Sequence, residues 1–468
     1  MALIAFLPGC EDAGSRGWTF IEGGSLVDVE AGTLAANPGI WIAPHGRIHA
    51  VGEVGGPPPE RIGADTVRLE DGHTILPGLV DVHAHYNMDL TGDGRVEETQ
   101  WNPLVFLANG VTTTWPGGEY RPELILELRD RIEAGTWVGP RVIPSGPYYG
   151  TTRPGWDPNM TPEEVRADVD HWVERGVLHF KAKGASPEHL EALIERVHEH
   201  GGTVAGHLDS GARGTTNSAD AIAMGIDRVE HILGGPALDR DQPAYPVWNR
   251  VDTASAAFRE TVRLFLDNEV FFDATMTAPV YLTELEEGFD DWAGERAFFT
   301  PWVQERVAER ERRRNALMSD LYQAMQRTTL AFYNAGGGHL ITMGTDLPSR
   351  GEFLAGFGAH RELHTMVLAG IPPIDALRAG TINGARALGM EADIGSIAPG
   401  KWADLFVVRG NPLDEIRNTR NVELVMREGL RHDPAALLDR ARGRIGPAGP
   451  DEREAWYLWE PPGSGSTP

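Results

Sequence analysis

Cysteine is almost absent from this 468-residue chain. Cys10 is the sole one, which excludes an internal disulfide and any cysteine-cluster zinc site. No stretch approaches the ~20 apolar residues of a membrane span. Basic residues are scarce too. Against 68 Asp and Glu stand 42 Lys and Arg, a formal charge of −26, which argues against nucleic acid as a partner because phosphate binding needs a basic face. An anionic small molecule would have to be met by local Arg or Lys set against the overall field. Such acidity is ordinarily a solubility feature.

What is present suits a large globular protein. Hydrophobic residues make up 41% and charged residues 24% of the chain, enough for a substantial core. The first ten residues, Met1 to Cys10, are apolar and resemble the end of a bacterial lipoprotein signal, without its basic leader and with Pro8 ahead of the Gly-Cys pair. Two compartments therefore stay open, the cytoplasm and, through Cys10, a membrane-anchored periplasmic location. The sequence also leaves room for a homo-oligomer.

The patterning predicts an α/β protein: a TIM-type (β/α)8 barrel with a small β-sandwich domain built from both chain ends. Residues 1–17 read as a leader and 18–76 as the first part of the small domain. Residues 77–392 read as the barrel, 393–436 as the second part of the small domain, and 437–468 as a tail. In 18–76, Ser25-Leu-Val-Asp-Val, Gly39-Ile-Trp-Ile-Ala and Arg47-Ile-His-Ala-Val are β-type runs between turn residues, and Gly55-Gly-Pro-Pro-Pro is a stiff loop. From Thr74 onward, short apolar runs ending near Val82, Pro144, Lys183, His207, His231, Ala274 and Asp346 alternate with amphipathic helices such as 123–134, 162–175 and 187–200. Thr161-Pro-Glu-Glu and Ser186-Pro-Glu are helix starts, a hydroxyl cap followed by Pro. Residues 283–334 read as helical, with Glu309-Arg-Glu-Arg-Arg-Arg as a solvated face. Lys401-Trp-Ala-Asp-Leu-Phe-Val-Val and Val422-Glu-Leu-Val-Met return to strand.

The sharpest local signal is Pro77-Gly-Leu-Val-Asp-Val-His83-Ala-His85. Residues i and i+2 of a strand face the same way, so two imidazoles at the end of a barrel strand can grip one metal ion. Later strand ends repeat the theme: His207 closes Thr203-Val-Ala-Gly-His, His231 closes Asp227-Arg-Val-Glu-His, and Asp346 closes Ile341-Thr-Met-Gly-Thr-Asp. Barrel active sites lie at that face. Four imidazoles and a carboxylate there suit zinc or a similar divalent ion.

These motifs, with Thr381-Ile-Asn-Gly-Ala-Arg-Ala-Leu-Gly and Ile394-Gly-Ser-Ile-Ala-Pro-Gly-Lys-Trp-Ala-Asp-Leu-Phe-Val-Val, resemble the amidohydrolase superfamily over about residues 20–430. The resemblance is strongest to the branch of imidazolonepropionase and prolidase-like dipeptidases. It implies two divalent ions, with zinc the leading choice, bridged by a carboxylated lysine on the fourth strand. Gly176-Val-Leu-His-Phe-Lys181-Ala-Lys183 offers two lysines of the same parity. The family's placement of its lysine after an apolar pair favours Lys181. By the same resemblance His83, His85 and Asp346 would hold one ion and His207 and His231 the other. His231 and Asp346 would also act in catalysis, Asp346 as the base that takes the proton of a metal-bridging hydroxide's parent water and passes it to the leaving group.

The resemblance implies a metal-dependent hydrolase of a small C–N amide, a dipeptide or an N-acyl amino acid. Cyclic amides or imidazolones, esters, carbamates, organophosphates, and a catalytically silent binding or scaffold barrel are the alternatives. Two segments depart from the family pattern. Strand five reads His207-Leu-Asp209-Ser where dipeptidase-like relatives tend to carry a second histidine, and strand two ends Thr112-Thr-Thr-Trp-Pro-Gly-Gly without the usual Arg-Asp. Tyr148, Tyr149, Arg153, Lys183 and Arg213 are candidate substrate contacts. Asp89-Leu-Thr-Gly-Asp-Gly-Arg-Val-Glu-Glu partly matches a calcium loop but ends at Gln100; a Gly-rich loop above the site is the better reading.

Overall fold

A computed structural model of the chain describes residues 17–53, 63–90, 92, 94–280, 282–283, 290–309, 315–348, 356–452 and 455–458. Cys10, the Gly55–Pro59 loop, two positions of the calcium-like loop, most of the 309–314 charge run and the last ten residues lie outside them.

The centre of the fold is a barrel of eight short parallel strands: β1 (Leu79–Ala84), β2 (Val111–Pro116), β3 (Arg141–Val142), β4 (His179–Lys183), β5 (Thr203–His207), β6 (Arg228–Glu230), β7 (Phe271–Asp273) and β8 (Ile341–Thr342). The β8–β1 seam closes through Val82 N–H to Met343 O at 3.1 Å and Asp346 N–H to His83 O at 2.8 Å. At the opposite seam Tyr148–Tyr149, just beyond β3, pairs with β4. The fold expectation is borne out.

Helices coat the strands, as Pro122–Glu133, Pro162–Val173 and Pro187–Glu199 illustrate. The predicted starts are there. Thr161 and Glu164 form a reciprocal capping box, and Ser186 accepts from His189 N–H. Each satisfies a donor that the first helical turn leaves without a partner. Within the charged region, the described segments Pro301–Glu309 and Ala316–Asn334 are helical.

Both chain ends share one eight-stranded sheet, in which Asp65–Pro77 lies between Thr19–Asp28 and Leu405–Arg409. Period-2 alternation lets a single strand serve two cores. Leu405 and Val407 join the small-domain cluster with Ile21, Ile40 and Ile75, whereas Phe406 and Val408 join the barrel core. Leu76 faces the barrel and Ile75 does not. This seam anchors the strand that runs directly into β1 and its histidines. After the sheet, Pro434–Ala441 forms a helix against Asn102–Ala108.

Candidate metal centre

Strand alternation builds the site. On β1, Asp81, His83 and His85 share one parity and are all buried. Asp81 accepts from His83 N–H at 3.1 Å and from the Thr345 hydroxyl at 2.8 Å, tying β1 to the end of β8. In consequence His85 Nε2 lies 2.8 Å and His83 Nε2 3.5 Å from Asp346 Oδ1. The other nitrogen of His83 donates to Asp273 Oδ2 at 3.1 Å. Such a bond fixes the tautomer and leaves Nε2 with a free lone pair. Two glycines make room for this imidazole: a Cβ on Gly117 would come within 2.3 Å of the His83 ring, and one on Gly344 within 2.4 Å of His83 Cβ.

β4 and β5 run in register, Lys181 opposite Ala205 and Lys183 opposite His207. Lys181 points inward, its Nζ 3.3 Å from His83 Nε2 and in contact with Glu230, and both charged side chains are fully buried. His207 and His231 meet edge to face with centroids 4.2 Å apart, and His231 lies 5.1 Å from His83. His231 and Asp346 both take left-handed backbone, φ 67° and 53°, a conformation costly for non-glycine residues and concentrated at functional sites. All six residues expected to form the metal site therefore converge.

Burial governs their charge. It pulls His85 down to about 4 and His231 to about 3, and holds His83 and His207 well below the ordinary imidazole range. Burial thus favours the neutral imidazole, the form that metal ligation requires. Burial works against the charge of Asp346 also, but the hydrogen bond from His85 holds it well below the usual carboxylate range.

The donor set fits a metal. His83, His231 and Asp346 offer atoms all within 4.8 Å of one another, and His83, Glu230 and Asp273 form a second such group. Four buried atoms of this cluster have no hydrogen-bond partner among the described residues: His207 Nδ1, His231 Nε2, Glu230 Oε1 and Asp273 Oδ1. Orphaned buried polar atoms are expensive, and a divalent cation would satisfy them.

Residues 74–431 match the model of the amidohydrolase family. The chain belongs to that family. Adenine deaminase 2 of Rhizobium meliloti (strain 1021) is 26% identical over 236 residues, 47% of this chain but 36% of that relative's own length. Among solved structures, a Xaa-Pro dipeptidase with bound methionine in its active site superposes with a TM-score of 0.66 at 22% identity, covering 89% of this chain and 100% of the other. Phenylurea hydrolase B superposes with a TM-score of 0.67 at 20% identity, covering 90% and 98%. At such identities the superpositions show the fold alone.

The substrate-side residues divide. Of this amidohydrolase's candidates, Tyr148 is buried with its hydroxyl unpartnered, and Lys183 Nζ lies 5.9 Å from the Tyr148 ring centroid. Tyr149 and Arg153 are not brought to the site. Alternation turns Tyr149 outward, against Phe180 and Trp156, and Arg153 is taken up by Asp168 at 2.6 Å. Arg213 is exposed on a turn beyond β5 and makes no hydrogen bond to the cluster. In the calcium-like segment, Glu98 accepts from the N–H groups of Gln100, Trp101 and Asn102 at a helix start, which turns it away from a cation site. Asp209, standing where relatives tend to have histidine, accepts from Ala244 N–H at 2.7 Å. It thereby holds the short helix whose Tyr245 hydroxyl sits 3.0 Å from His207 Nε2.

Sequence reading missed Glu230, Asp273 and Tyr245. The first two had a signal: an acidic residue at inward parity in a short barrel strand, as in Arg228-Val-Glu230. Tyr245 had none, because only the fold brings its loop back over β5.

Proposed function

We propose that this amidohydrolase is a metal-dependent enzyme that hydrolyses the C–N amide bond of a small substrate, a dipeptide or an N-acyl amino acid. The observation that carries the reading is the convergence of His83, His85, His207, His231 and Asp346 around Lys181 at one end of the barrel. His83, His85 and Asp346 would hold one divalent ion and His207 and His231 a second, with Lys181, carboxylated, shared between them. Ions so held supply a polarised carbonyl and water acidified toward neutral pH.

The side chains do the rest. Asp346, ionised and hydrogen-bonded to His85, accepts the proton of the attacking water and returns it to the leaving nitrogen. His231, held through Nδ1 by the Thr275 hydroxyl, keeps Nε2 directed at the centre. Tyr148, buried, and Lys183, partly exposed, offer an O–H and an N–H, donors for the carbonyl oxygen or for a substrate carboxylate. Phenylureas and aminopurines, the groups in two of the matched proteins' names, are the competing substrates. Turnover of a panel of dipeptides, N-acyl amino acids, phenylureas and adenine, with metal content measured in parallel, tests the reading. Hydrolysis confined to the last two would overturn it, as would full activity on any of them in thoroughly metal-free protein.

A further inference from the structure

Beyond β1 the chain folds back as a two-residue pair, Asn87–Met88 with Val96–Glu97, and Arg95 stands at its edge, partly buried. Arg95 Nη1 lies 3.4 Å from Asn87 Oδ1, and Asn87 Nδ2 lies 3.2 Å from His85 Nδ1. Two contacts thus link this guanidinium to His85, whose other nitrogen contacts Asp346. Among the described residues Arg95 has no carboxylate partner. Arg153, Arg141 and Arg361, by contrast, are each bound by acids. A partly desolvated cation without a counter-ion is costly unless a ligand supplies one.

A second donor has no partner at all. The Tyr148 hydroxyl is buried with no partner. The pairing with β4 sets Tyr148 opposite Lys181, on the inward side of the barrel. Its ring is seated by Gly118, where a Cβ would lie 2.3 Å from Tyr148 Cε1, and is braced edge-on by Tyr120 at 5.3 Å. A fixed hydroxyl and a planar, always-charged fork near one metal-site histidine are the groups that recognise a carboxylate.

We infer that Arg95, together with the Tyr148 hydroxyl, receives the carboxylate of the substrate and makes this site select acids over their amides. The inference rests on the amide-hydrolase reading for the identity of the bond cleaved, but not for the anion site itself. It reassigns to Arg95 the role for which Arg153 and Arg213 are badly placed.

The experiment uses the metal-loaded full chain and matched pairs of dipeptides with a free or an amidated C-terminus, followed both by turnover and by calorimetric binding. Wild type is expected to favour the free acids by roughly 10- to 100-fold, the worth of charge-assisted hydrogen bonds. Arg95→Gln should bring that ratio toward one, Arg95→Lys should restore part of it, and Tyr148→Phe should lower it in both readouts. Acid preference that survives in Arg95→Gln, or that disappears in Lys183→Gln instead, overturns the inference. Preferential binding of acids that depends on Arg95, with no pair hydrolysed, would leave the anion site standing and remove the dipeptide reading.

Discussion

Lys181 and Glu230 meet side chain to side chain inside the barrel, one from β4 and the other from β6, with no water-exposed surface on either charged group. Burial pulls the Lys181 amine down to about 8, with Glu230 opposing. A lysine so placed is an interior, acid-paired group rather than a solubilising charge, whereas Lys183, two residues on, is partly exposed.

The two lysines should therefore separate cleanly by mutation. Lys181→Ala is expected to lose bound metal from near two ions per chain and to lose activity, with partial recovery in short carboxylic acids that can stand in for a carboxylated side chain. Lys183→Ala should retain its metal. Elemental analysis of both variants checks this, and metal loss in Lys183→Ala alone would mean that β4 is misread by one inward-facing position.

Asp346→Asn should fold and keep most of its metal, since the amide oxygen can still occupy the carboxylate's place near His85. It cannot accept a proton. General acid–base catalysis contributes ~100- to 10,000-fold, so kcat should fall by at least that lower figure. A loss under about tenfold would assign the base to another residue.

The candidate metal site was legible in sequence because strand parity and strand ends are one-dimensional facts. His83-x-His85, with His207, His231 and Asp346 closing their strands, needed only the assumption of a barrel. The substrate side was less legible. Tyr148 and Tyr149 are adjacent and chemically identical, yet the pairing with β4 sends one inward and the other onto Phe180. Arg153 and Arg95 are both loop arginines, and only the fold shows that Asp168 neutralises the first and that the second lies near His85. Charge partners distant along the chain carry no periodic signature.

Gly344 in Gly-Thr-Asp346 is a steric requirement. Its Cβ would sit 2.2 Å from Asp273 Oδ2 and 2.4 Å from His83 Cβ, and neither neighbour is a free side-chain tip. Gly344→Ala should displace His83 and cost about 1–3 kcal/mol through overpacking. The measurements are the denaturant midpoint and the metal affinity, both of which should fall. Unchanged metal affinity would show that the β1–β8 seam yields without moving His83.

Beside the candidate metal site, Glu362 predicts how stability depends on pH. Its carboxyl is buried beneath β7 and β8, facing the N–H groups of Met276 and Thr277 at 2.9 and 2.7 Å and the Thr277 hydroxyl, which also donates to Thr345 O. Burial outweighs those three donors and raises the carboxyl from 4.5 to about 7. Between those two values the folded chain keeps a proton that the unfolded chain has released. The contribution of Glu362 is then fully present below about pH 4.5 and is lost as pH rises through 7. Glutamine is neutral throughout, and its oxygen can serve only some of the donors. Glu362→Gln should thus be less stable than wild type at pH 5, and the gap should narrow or reverse by pH 8.5, a change on the order of 2–3 kcal/mol if the full shift is realised. Urea midpoints of metal-stripped wild type and variant across that range measure the gap. A gap that widens as pH rises would mean that the three donors win over burial and that Glu362 is held as a carboxylate.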